Sequence, residues 1–305
     1  MNELAPFSDL PVIGQLSPDR AAAKLRELGE DDAAAQLESP DAGQAASFGA
    51  SARWPFRDRP WQHTAHSFGY LAPLAPGSGP APIQHAGAIA PDSTLKNSRI
   101  KITLDRLRVA AYPGGGTHRI LFDCYAQNQI ADNPEHLHFS FTYRVREGEQ
   151  AAVVGYPVFV GLGVGTEGVA FKCFTVNVRN DQDESFLGFL ESDVFKAGLK
   201  LAATAQPAVA LFSQMALGLT RSIASRHRNV PVQDFYMGLD FSSIATRARL
   251  REGSYIAVQI PETLERVWDW SEWQYHPSTG HIVNKEDPTQ LVPYNYLVYS
   301  ISRIE

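Results

Sequence analysis

Cysteine is scarce in this chain of 305 residues, which carries only Cys124 and Cys173. Two thiols exclude a disulfide-stapled scaffold and any Cys-x-x-Cys zinc or redox motif, and they point to a reducing compartment. One bridge between the two stretches that hold them stays open. A Gly-Lys-Ser/Thr phosphate loop, a Gly-x-Ser-x-Gly nucleophile elbow and EF-hand loop spacing are missing as well. The first residues, MNELAPFSDLPVIGQL, place acids where an export signal needs a basic segment, so a cytoplasmic protein is expected. Basic surplus is also lacking. The formal charge is −6, with six Lys/Arg against eleven Asp/Glu in residues 1 to 95 and twenty-one against twenty-two in the remainder. A general nucleic-acid binder displaces counterions with excess cations, and this chain has none to spare.

What the chain does contain is period-two alternation. In HLHFSFTYRVR, Leu137, Phe139, Phe141, Tyr143 and Val145 fall on one side, with His136, His138, Ser140, Thr142, Arg144 and Arg146 on the other. That is the pattern of a half-buried antiparallel strand. Similar signals occupy 99–112, 118–127, 153–160, 169–178, 246–251, 254–260, 266–275 and 294–303. Short strands between Gly- and Pro-rich turns predict a mainly β chain, an antiparallel β-sandwich or jelly-roll-like domain over 98–305. A helical hairpin insertion is expected over 183–229, broken at Pro207. A small N-terminal helical segment is expected within 1–38, with Ser17 at the cap, Pro18 in the first turn and Gly29 as the break. Residues 39–97, rich in Pro and Gly, read as a linker whose aromatic stretch, 53–71, docks on the main domain or on a partner.

The segment FVGLGVGTEGVAF spaces Gly163, Gly165 and Gly168 as a dinucleotide-binding turn does. That turn works by delivering a pyrophosphate to a helix N-terminus, whereas VAFKCFTVNV follows here, a strand. A bend between strands is expected, and no cofactor. The acidic run NDQDES, 180–185, reads as a helix start. Tryptophans 268, 270 and 273 suit a core, or else a sugar or peptide groove.

Arginine supplies the clearest candidate site. TRARLR sets Arg247, Arg249 and Arg251 on one strand face, and if that face is shared with Arg144 and Arg146 a basic patch results, suited to an anion or an acidic protein partner. The leading expectation is therefore a non-enzymatic protein-binding or scaffold protein. One alternative is a regulated pore-former using the uncharged stretch 201–220, whose Val209, Phe212, Met215, Leu219 and Ile223 make an apolar stripe. Another is a metal-dependent hydrolase around His118, His136 and His138, although the arginines near the last two oppose a cation.

Overall fold

Alternation sorts the strands into two sheets that share one core. The computed structural model describes residues 7–38, 59–128, 135–183, 187–188, 217–242 and 248–304. A six-stranded sheet runs β3 (Gln84–His85), β1 (Ala65–Leu71), β11 (Gly253–Ile260), β14 (Tyr296–Ile304), β4 (Arg99–Arg108), β7 (Gln150–Gly163). A five-stranded sheet runs β10 (Ala248–Arg249), β9 (Val230–Asp240), β8 (Gly168–Val178), β5 (Thr117–Asn128), β6 (Glu135–Arg146). Neighbours within these sheets are antiparallel except β9 and β10. The inner faces meet through Ile102, Leu104, Tyr255 and Tyr299 on one side and Phe122, Cys124, Phe171 and Phe235 on the other. The fold is mainly β and sandwich-like, as the alternation implies.

Both outer faces are covered as well, so the sandwich has more than two layers. On the six-stranded sheet lies a third sheet, β13 (His281–Asn284), β12 (Trp273–His276), β2 (Ala81–Pro82), with Trp270, Trp273 and Tyr275 buried against Ile256, Val258 and Tyr296. The five-stranded sheet is partly roofed by Phe7, Val12 and the helical residues 217–224, whose Ile223 packs with Phe174, Val176 and Val178. At one margin the two main sheets are stitched together, because the Arg249 amide donates to the Ala86 carbonyl at 2.9 Å.

Several elements depart from the sequence expectation. Strand β1 lies in the stretch read as linker, and all seven of its residues are buried, so no polar face was left to produce alternation. Strand β9 was not foreseen because only Asp234 and Tyr236 reach its surface, too few to make an alternation. The expected strand 266–275 survives only from Trp273, because the Asp269 carboxylate accepts the Ser271 amide at 2.7 Å and turns the chain. The three tryptophans fill the layer on the six-stranded sheet, with Trp268 stacked on Trp273 at 5.6 Å.

The N-terminal helices form where expected, α1 (Pro18–Glu27) and α2 (Asp31–Glu38), joined through Gly29 at φ +78°. Ala21, Ala22, Leu25, Ala33, Ala34 and Leu37 belong to the main core cluster, so this piece packs on the sandwich. Glu30 fastens it by accepting the Gly114 amide at 3.0 Å and Arg59 at 2.9 Å.

Candidate functional site

The glycine spacing is a corner between the sheets. Gly163 ends β7 in one sheet, Gly168 begins β8 in the other, and the Gly165 amide donates to the Gly168 carbonyl at 3.1 Å. Gly168 sits at φ +133°, and a β-carbon there would lie 2.1 Å from the Leu239 carbonyl oxygen. Close backbone approach to β9 therefore requires glycine. A strand follows, and the helix N-terminus that a dinucleotide needs is not supplied by this segment.

The outer face of the five-stranded sheet gathers the most chemistry. Asp123 on β5 stands directly opposite Ser140 on β6, with His138 one position diagonal. The Ser140 hydroxyl donates to Asp123 Oδ2 at 3.0 Å, and His138 Nδ1 lies 3.2 Å from Oδ1. Since the single Ser140 proton is committed to Asp123, the Thr220 hydroxyl is the donor in its 3.1 Å contact with Ser140. The chain of bonds fixes the helical residues 217–224 to the sheet. Here the acid bridges hydroxyl and imidazole; a nucleophilic serine needs the imidazole in the middle.

Two further ion pairs lie on this face. Lys172 Nζ is 2.9 Å from Asp234, whose carboxyl burial pushes up and Lys172 pulls down, with a net rise. Arg249 is 2.9 Å from Asp240 across the β9–β10 pair and is 9% exposed. The expected basic patch is corrected at this point. Arg249 is buried and spent on Asp240, and β10 and β6 occupy opposite edges of the sheet, four strand spacings or about 19 Å apart. Arg251 is exposed and donates to the Ala90 carbonyl at 3.3 Å. Arg247 lies outside the described residues. The structure brings together a different group: Arg144 directly opposite Arg119 of β5 on the outer face, with Arg146 two residues along the edge strand. Arg144 and Arg146 are exposed. Arg119 was missed because its neighbours in HRILFDCY do not alternate cleanly.

The histidines proposed as a metal set are separated. His118 is on the inner face, fully buried, while His138 is on the outer face and pairs with Tyr125, seven residues or about 24 Å along β5. The side chain of His136 lies outside the described residues. Among the described residues no group of three or more His, Cys, Asp or Glu is arranged to hold a metal. Burial, then Arg179, holds His118 down to about 4, with Tyr112 edge-on at 5.7 Å. Cys124 and Cys173 are free and occupy directly opposed positions on β5 and β8 in the core.

Of the apolar stripe, Leu219 and Ile223 pack on the outer face of the five-stranded sheet, whereas Val209, Phe212 and Met215 lie outside the described residues. Among the described residues no helix is long and apolar enough to cross a membrane. A cleft of about 250 Å³ lies beside β1, lined by His66, Ser67, Phe68, His85, Glu265 and Arg266. Its Ser67 hydroxyl accepts the Trp270 indole at 3.0 Å, and His85 Nδ1 accepts the Gly87 amide at 3.0 Å. No protein-family model matches the chain, and comparison with the curated proteins and with the solved structures finds no match.

Proposed function

We propose that this protein is a non-enzymatic binding or scaffold protein that engages an acidic protein partner through the β6 edge of the five-stranded sheet. The observation that carries the reading is the same-sign juxtaposition of Arg119 and Arg144 at directly opposed positions, with Arg146 beside them. A row of guanidinium groups along an edge strand offers charge complementarity to an anionic surface laid across it. Exposure of Arg144 and Arg146 on an edge strand gives a partner access. The free buried thiols suit a reducing, cytoplasmic setting.

The test is charge reversal. Arg144→Glu combined with Arg146→Glu abolishes capture of native partners by the purified protein while leaving its melting temperature unchanged, since exposed substitutions cost within about 0.5 kcal/mol each. Undiminished capture by the double variant rejects this face.

A further inference from the structure

A second basic cluster, of two arginines and two histidines, sits between the outer face of the six-stranded sheet and the β12–β13 hairpin. Its origin is a β-bulge. Ile100, Ile102 and Leu104 of β4 point into the core, but the register with β14 skips Asp105, so Leu107 takes the inner phase and Arg106 and Arg108 take the outer one. Two arginines thus point from adjacent same-face positions toward the hairpin, whose His276 and His281 are directly paired.

The hairpin turn presses on this pair. At Gly280, φ +75°, a β-carbon would come within 2.7 Å of the Arg106 guanidinium carbon and 2.8 Å of Gln150 Nε2. The Tyr296 hydroxyl bonds Gln150 Oε1 at 3.1 Å, and Gln150 in turn donates to the Thr279 carbonyl, so the turn is held in place. Burial pushes Tyr296 up to about 12, which keeps that hydroxyl protonated.

Among the described residues these arginines meet no carboxylate. Arg108 is 7% exposed, gives one bond to the Gly148 carbonyl at 3.1 Å, and its buried Nε has no hydrogen-bond partner among the described residues. His276 Nε2 is likewise buried without one. Neither arginine forms an ion pair among the described residues. Burial, then Arg108, Arg106 and His276, hold His281 below its ordinary value. A buried guanidinium is ordinarily matched by a carboxylate, and this one keeps an unused donor, Nε, to offer an anion. Arg106, His276 and His281 are partly exposed, which leaves an entry.

We propose that Arg106, Arg108, His276 and His281 form a binding site for a small oxyanion of the phosphate type. Two guanidinium forks and two imidazoles on neighbouring elements offer several N–H donors, a better match for a tetrahedral, multiply charged oxyanion than for a single carboxylate. The site borders the β6–β7 turn, since the Gly148 carbonyl that receives Arg108 follows Arg146 by two residues, but its four side chains are distinct from the arginines of β6.

The test uses the full-length protein and inorganic phosphate, with sodium chloride at matched ionic strength as the blank. Phosphate raises the melting temperature of the native protein saturably at millimolar concentration. Arg106→Gln and Arg108→Met each lose that response, while Arg144→Gln keeps it. Should Arg108→Met fail to fold, the comparison of native protein with Arg106→Gln by phosphorus NMR line broadening decides the matter alone. No saturable response of the native protein, or an equal response in Arg106→Gln, overturns the proposal.

Discussion

The outer faces of the two main sheets treat buried charge in opposite ways. On the five-stranded sheet, Asp123, Lys172 and Arg249 each meet an opposite or hydrogen-bonding group at 2.9 to 3.2 Å. On the six-stranded sheet, Arg108 is as buried as Lys172 and Arg249, beside a second arginine and two histidines, with only a backbone carbonyl to receive it among the described residues. The first arrangement is closed: each of these three charges has its partner, and its work is to hold layers together. The second is open, with donors in excess of acceptors. Burial alone does not distinguish the two, and the sign of what surrounds the charge does.

The largest effect comes from breaking the closed network. Asp123→Ala leaves the Ser140 hydroxyl and the His138 imidazole buried without their acceptor and loosens the helical residues 217–224. The expected loss is about 3 to 5 kcal/mol in urea unfolding, the usual result of removing one partner from a buried polar pair. A loss within about 1 kcal/mol would remove the closed half of the comparison.

Next in size is the response to acid of His118, a buried side chain inside the sandwich with no cationic role. Its folded value lies below its unfolded one, from 6.5 down to about 4, so the unfolded chain takes the proton first as pH falls. Stability is therefore full above about pH 6.5 and declines toward pH 4, by up to about 3 kcal/mol. Glu147, pushed up by burial and by Glu30, works in the opposite sense, so the measure is a difference. His118→Leu flattens the decline relative to the native protein in unfolding curves taken across that window. Parallel slopes for the two proteins would rule the histidine out as the cause.

How much of this was legible beforehand follows from which faces are wet. Strand β6 announced itself because its outer face carries His, Ser, Thr and Arg against an apolar inner face, and the sandwich class followed from it. Strand β1 gave no such signal, being buried throughout, and β9 shows water only Asp234 and Tyr236; a buried strand in a Pro-rich stretch reads as linker. Arg249 was placed on an exposed face because alternation reports a face, not what lies over it. Arg106 and Arg108 were hidden for a different reason: the bulge at Asp105 reverses the phase of β4, and His276 and His281 join them only through packing across about 170 positions of sequence. The N-terminal helices were readable because caps and breaks are local. Their docking was not, since Glu30 reaches Gly114 through the tertiary fold.

A third perturbation tests the corner that links the sheets, and with it the structural reading of the glycine spacing. Gly168→Ala must either shift β9 or abandon φ +133°. A cost of about 2 kcal/mol is expected in denaturant unfolding, the scale of strain at a backbone conformation other residues avoid. An alanine variant as stable as the native chain would mean the corner does not need glycine.

The smallest expected effect is the most pointed, because it applies the logic of Asp123→Ala to a charge on the open side. Arg108→Met keeps much of the length of the side chain, packs against Tyr296 and removes a buried cation that has no carboxylate partner. Replacing a buried charge by an apolar group is costly when the charge is paired and nearly neutral or stabilising when it is not. In buffer free of phosphate and sulfate the variant should therefore unfold within about 1 kcal/mol of the native protein, on the stable side if either. Added phosphate then separates the two, stabilising the native protein and not the variant. A loss comparable to that of Asp123→Ala in anion-free buffer would show that Arg108 is held by a closed network after all, and the contrast between the two faces would collapse.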